Sequence, residues 1–135
     1  MNKNFEHIYQ SKPEILPEIE EFVEQQITEL NLSEEVRNNI ELSVAEAAAN
    51  CVLHGNKNDP SKYVKLKLQI TNSQIVISFT DQGKGFSPED VPDPTIPENI
   101  LKGSGRGLHI MRSLVDDMKY CFHDHGTELI IAFNI

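Results

Sequence analysis

Apolar residues recur every three or four positions through Ile15, Ile19, Phe22, Val23, Ile27 and Leu30, the spacing of one helix face. Ser11 and Glu14 frame a capping box around Pro13. A helix is therefore predicted from there to about Leu30, where Asn31 and Leu32 break the pattern. Ser33 caps a second helix, with Glu34 and Glu35 favourable in its first turn. Val36, Ile40, Val44, Ala47, Ala48 and Cys51 form its buried face, and Gly55 suits its C-terminal cap. The period then changes. Val64, Leu66, Leu68 and Ile70 alternate with Lys65, Lys67 and Gln69, and Ile75, Ile77 and Phe79 alternate with Val76, Ser78 and Thr80. These are two half-buried strands joined at "TNS". "GRGLHIMRSLVDDM" predicts a helix from about Gly105 to Asp117. Residues 118–122 and 127–134 form a closing hairpin around "HDHG", and residues 3–9 a short edge strand. Four of the seven prolines lie between 87 and 104, in a long loop of the kind that is usually functional or mobile. The order implies an α+β fold, a two-layer α/β sandwich with helices on one face of a mostly antiparallel mixed sheet.

Within the second helix, "EAAANCVLHGN" places Glu46, Asn50 and His54 at four-residue spacing, so the three form a polar stripe. Glu46 and Asn50 fall at the edge of the buried face. A polar stripe beside a core is costly unless partnered, so it is either a satisfied network or the wall of a site. The small residues Ala45, Ala47, Ala48 and Ala49 suggest that something packs closely there.

Composition narrows the class. With 135 residues, 39% of them apolar, the chain is expected to form a single globular domain over 1–135 with a real core. No apolar run approaches the roughly 20 residues of a membrane span, and "MNKNFEHIYQ" has no apolar signal core; a cytoplasmic location is expected. Cys51 and Cys121 make neither a disulfide framework nor a zinc knuckle and are read as small core residues. The formal net charge of −9 argues against nucleic acid as a partner, since phosphate binding needs basic patches. The acidic residues between Glu14 and Glu35 read as a solvated helix face.

Two glycine clusters follow the polar stripe. Asp81, Gly83 and Gly85 end the second alternating strand; Gly103, Gly105 and Gly107 open the next helix, where free N–H groups and the helix dipole favour an anion such as phosphate. Glycine lets backbone approach a ligand closely. There is no G-x-x-x-x-G-K-[ST]. Neither cluster completes G-x-G-x-x-G, because Pro88 and Leu108 stand at the last position, and no alternating βαβ units support a dinucleotide fold. Taken singly, each cluster is an ordinary turn.

The ordered set is more specific. E-x-x-x-N on a helix, D-x-G-x-G after a strand, G-x-G-x-G opening a helix and Gly126-Thr127 before the last strand together resemble the Bergerat ATP-binding domain of gyrase-type ATPases and histidine kinases. The boxes around "HGN", "DQGKGF" and "GSGRGLHIMRSLVDD" look most like the anti-sigma factor serine/threonine kinases, and the likeness covers nearly the whole chain. It implies ATP or ADP as the nucleotide and Mg2+ as the metal. Asp81 would accept a hydrogen bond from the adenine amino group, with Gly83 and Gly85 letting the backbone pass close and Thr127 supporting the base. Asn50 would ligate magnesium, which favours oxygen ligands and borrows phosphate oxygens. Glu46 would be the general base toward a substrate hydroxyl; histidine kinases usually lack this Glu, because their nucleophile is an imidazole. Gly103, Gly105 and Gly107 would wrap the phosphates, with Arg106 neutralising developing charge, and residues of about 86–104 would form the ATP lid. His54 closes the helix, and His123, Asp124 and His125 read as a surface turn.

The resemblance further implies phosphorylation of an anti-sigma factor antagonist, binding of a sigma factor and a homodimer. Two other readings stay open. One is a nucleotide-binding regulatory or anti-sigma module with little kinase activity. The other is a gyrase-like ATPase fragment or a histidine-kinase catalytic domain.

Overall fold

The strand and helix periods are realised in a computed structural model of the protein that describes residues 2–83, 105–123 and 126–135. In chain order the elements are β1 (Asn2–Gln10), α1 (Ile15–Ile27), α2 (Glu34–Ala49), a π-helix (Asn50–Gly55), β2 (Tyr63–Thr71), β3 (Gln74–Asp81), α3 (Gly105–Leu114), β4 (Asp117–His123) and β5 (Gly126–Asn134). The strands form one sheet in the order β1-β2-β3-β5-β4. Each pairing among the described residues is antiparallel, in keeping with the mostly antiparallel sheet expected. β5 enters between β3 and β4 and pairs with both.

The predicted alternation sets which face is buried. Val64, Leu66, Leu68 and Ile70 of β2 point inward beside Ile75, Ile77 and Phe79 of β3, and Leu129, Ile131 and Phe133 continue the layer across β5. The helices cover this face through Ile15, Ile19, Val23 and Ile27 of α1 and Ile40, Val44, Ala47 and Ala48 of α2. α2 lies between α1 and α3. At roughly 1.5–3 kcal/mol for each fully buried large apolar side chain, this single core is the main stabilising element.

The helix ends test the capping signals. Ser33 Oγ accepts from the Val36 N–H at 3.1 Å, as expected. The capping box proposed at Ser11 and Glu14 does not form. Glu14 itself is the N-cap, with no side-chain capping bond. Ser11 is drawn under the sheet edge instead, its N–H bonding the Lys62 carbonyl at 2.9 Å and its hydroxyl buried without a partner. The acidic residues from Glu14 to Glu35 are exposed, the solvated face expected of them. α3 stops at Leu114, short of Asp117, because Asp116 N–H already bonds the Ala132 carbonyl at 2.9 Å and starts the β4–β5 pairing. Cys51 is a core residue, but Cys121 is only half-buried, since it faces Glu128 on the outer side of the sheet.

Candidate functional site

The second helix does not end as its sequence suggests. Asn56 N–H reaches the Cys51 carbonyl at 2.8 Å, five residues back, which is the wider π pattern. The π-helix begins at Asn50. It changes the register of the stripe: Glu46 and Asn50 are half-buried while His54 is exposed. Gly55 is also not the left-handed cap it was read as; its φ is not positive. It is glycine for another reason.

That reason is Asp81. The last residue of β3 turns its carboxylate toward the helix layer and rests it on Gly55, where a Cβ would overlap both carboxylate oxygens. Gly83 is packed as tightly, since its Cβ would meet the Gly55 carbonyl oxygen. Gly126, at the start of β5, is pressed against the Asp81 carbonyl. Three glycines thus close around one residue, Gly55 and Gly83 against the Asp81 carboxylate and Gly126 against its backbone carbonyl. The sequence reading named Gly83 as a site residue. Gly126 entered there only through the Gly126-Thr127 pair and Gly55 only as a helix cap, because only the folded chain shows what their missing side chains make room for.

The carboxylate is held by few protein donors. Gly83 N–H donates to Asp81 Oδ1 at 3.0 Å, and the Thr127 backbone N–H also faces it. Burial pushes its pKa above the ordinary aspartate value, against the opposing effects of these two N–H groups and the Lys62 charge. Below it, burial raises the Cys51 thiol, with the nearby Asp81 charge adding to the effect. Burial likewise raises the Tyr120 phenol, with smaller contributions from Cys51 and Asp81.

Thr127 is the β5 partner of Asp81. Its hydroxyl is buried with no hydrogen-bond partner. So is the amide nitrogen of Asn50. Buried polar groups are normally satisfied, and each exception calls for a cause. Two of the four unpartnered buried atoms found among the described residues belong to Asn50 and Thr127, both singled out from sequence. Acceptor atoms of a nucleotide are of the right chemistry to satisfy both donors. Among the described residues, no cluster of three or more His, Cys, Asp or Glu side chains could hold a metal without it.

The remaining candidates divide. Gly105, Arg106 and Gly107 form the first turn of α3, and α3 packs on α2. Gly85, Gly103 and the lid of about 86–104 lie outside the described residues, as do Asp124 and His125. His123 ends β4 on the outer face, 3.5 Å from Glu128.

Comparison with known proteins fits this geometry. A model of the histidine kinase-like ATPase domain matches residues 9–133. An anti-sigma F factor of Clostridium perfringens is 32% identical over 110 residues, covering 78% of this chain and 77% of that protein. Another, from Clostridium botulinum, is 30% identical over 83 residues, and the match spans only 57% of its length. In structure, the RsbU and RsbW domains of a Mycobacterium tuberculosis protein give a TM-score of 0.71 at 13% identity, over 97% of this chain and 32% of that one. The catalytic domain of the histidine kinase ThkA gives 0.59 at 15% identity, over 99% and 97%. At these identities the two structures speak for the fold.

Proposed function

The chain belongs to the histidine kinase-like ATPase domain family, in the branch that holds the anti-sigma factors, and from that premise we propose that it is an ATP-dependent serine/threonine kinase of the anti-sigma type, working as one nucleotide-binding domain. The observation that carries the nucleotide pocket is the glycine cradle around Asp81, with the orphaned Thr127 hydroxyl beside it. A carboxylate with unspent acceptor capacity and a hydroxyl that can donate or accept match the amino and ring-nitrogen edge of adenine. Gly83 and Gly85 admit the base and ribose.

Glu46 on α2 and Asn50 at the start of the π-helix, four residues apart, form the catalytic edge. Asn50 would hold Mg2+ through its amide oxygen, and the ion would supply charge neutralisation of the phosphates. Glu46 would take the proton from an attacking serine or threonine hydroxyl. Gly103, Gly105 and Gly107, with Arg106, would offer backbone N–H groups and a positive charge to the phosphates at the start of α3.

The anti-sigma name of its relatives supports the partner assignment. The phosphorylated protein would be an anti-sigma factor antagonist, the regulated partner a sigma factor, and the working form a homodimer in the cytoplasm. No helix among the described residues is long and apolar enough to cross a membrane.

Calorimetric titration with ADP and a non-hydrolysable ATP analogue, with and without magnesium, tests the pocket. Binding that strengthens with magnesium is expected. A folded protein that binds neither nucleotide would remove the kinase reading.

A further inference from the structure

In the sequence Asn56 is the last residue of the "HGN" box and carries no assigned role. In the folded chain it is wholly buried and each of its polar groups is engaged. Its backbone N–H closes the π-helix on the Cys51 carbonyl, and its carbonyl accepts from Asp59 N–H. Its side-chain Nδ2 donates to the Tyr63 carbonyl at 3.0 Å. Its Oδ1 accepts from the Gln82 N–H at 2.8 Å.

The position of these bonds is informative. The β2–β3 ladder ends at the pair Val64↔Asp81. Beyond it, side chains take the place of the ladder: Tyr63 N–H donates to Gln82 Oε1 at 2.6 Å, while Asn56 bonds the Tyr63 carbonyl and the Gln82 N–H. The peptide joining Asp81 to Gln82 is thus fixed from outside the sheet, by the residue that follows Gly55. Gly55 in turn is the surface on which the Asp81 carboxylate rests. The chain leaves Asn56 through Lys57 at φ 52° and Asn58 at φ 59°, left-handed conformations that side chains other than glycine seldom adopt. Such strain persists where the surroundings over-determine it, and it concentrates at functional sites.

We propose that Asn56 is a positioning residue for nucleotide selection: its amide ties the end of the π-helix and the start of β2 to the Asp81–Gln82 peptide, and so aims the Asp81 carboxylate at the base. The inference rests on the reading of Asp81 as the acceptor for the adenine amino group. A residue that only held the fold together would affect every nucleotide alike. A residue that aims Asp81 affects those nucleotides that carry the amino group.

The test is a pair of titrations on wild type and Asn56→Ala, with ADP and with purine riboside 5′-diphosphate, which lacks the amino group. Wild type is expected to prefer ADP. In Asn56→Ala that preference falls by about five- to tenfold, the equivalent of one hydrogen bond, while affinity for the purine riboside nucleotide is little changed. An unchanged preference, or equal weakening of both nucleotides, overturns the proposal. Wild type without any preference overturns the adenine reading of Asp81, a failure distinct from that of Asn56. If Asn56→Ala does not fold, Asn56→Asp serves. It keeps the acceptor for Gln82 N–H and loses the donor to Tyr63, so its preference should be lowered but not abolished; a wild-type preference there overturns the proposal as well.

Discussion

Two carboxylates sit one step apart in the same ladder and behave oppositely. Asp81 pairs with Thr127, and Thr80, the residue before it, pairs with Glu128. Asp81 turns to the helix side and Glu128 to the outer face. Glu128 is supplied with donors: Ser78 Oγ donates to its Oε2, His123 lies 3.5 Å from its Oε1, and Lys67 is close. Its pKa is lowered, first by the Ser78 bond and then by the His123 contact and the charges of Lys67 and His123, with partial burial opposing them. Asp81 is more deeply desolvated than it is compensated, and its pKa is raised. A carboxylate whose acceptor capacity is met by its own protein is a structural residue. One held in a glycine cradle with capacity unspent is arranged for something the chain does not itself contain. A depression of about 560 Å3 is lined by Thr80, Glu128, His123 and Lys67 together with Asp81, Gln82 and Gly126. The two carboxylates border the same depression, and what separates them is how fully each is hydrogen-bonded by its own protein.

Glu46 extends the contrast to a third carboxylate, assigned to chemistry rather than to binding. Glu46→Gln should lower ATP turnover by about 10²- to 10⁴-fold and leave ADP affinity in place, as read by steady-state kinetics beside calorimetry. A fully active variant would end its role as base. Asp81→Asn should weaken ADP binding by about 10- to 150-fold, the value of one charged hydrogen bond of roughly 1.5–3 kcal/mol. Gly55→Ala pushes a methyl group into the Asp81 carboxylate. It should lower unfolding stability by about 1–3 kcal/mol, the usual penalty for overpacking, and weaken ADP binding with it; denaturant melts and titrations report both. Glu128→Gln loses part of a satisfied network, so about 0.5–1.5 kcal/mol of stability and no ADP affinity.

The pH dependence separates the two carboxylates by sign. Asp81, raised on folding, binds more protons folded than unfolded, so its contribution is greatest below about pH 4 and is lost as pH rises through its folded value. Glu128, lowered on folding, contributes above the ordinary glutamate value and loses that contribution as pH falls through its folded value. Relative to wild type, Asp81→Asn should therefore gain stability as pH is raised from about 4, while Glu128→Gln should lose its disadvantage as pH is lowered. Denaturant melts across acid to neutral pH measure both; parallel curves would show the two sites to be equivalent.

Elements with an uninterrupted period were readable in the sequence. Val64 to Ile70 and Ile75 to Phe79 alternate cleanly and fold as expected, and Ser33 caps as expected. Asp81, Gly83, Asn50 and Thr127 were singled out from spacing and family resemblance, and the structure gives each a tight contact or an unmet hydrogen bond. The misses have a common cause in tertiary pairing. Ser11 could not cap α1 once its N–H was taken by Lys62. Gly55 looked like a cap because a close approach by Asp81, a residue 26 positions later, leaves no local mark. Asn56 received no role because its side-chain partners, Tyr63 and Gln82, lie on strands that only folding brings to it. The π turn was invisible because wide bonds such as that from Asn56 N–H to the Cys51 carbonyl depend on packing and not on any residue pattern.

The most direct test is an ADP titration of wild type, Asp81→Asn and Glu128→Gln side by side, each first shown to be folded by its thermal transition. Loss of binding in Asp81→Asn alone, with Glu128→Gln binding like wild type, is the expected result. Equal binding by Asp81→Asn and wild type, or a loss confined to Glu128→Gln, would move the ligand site off the glycine cradle.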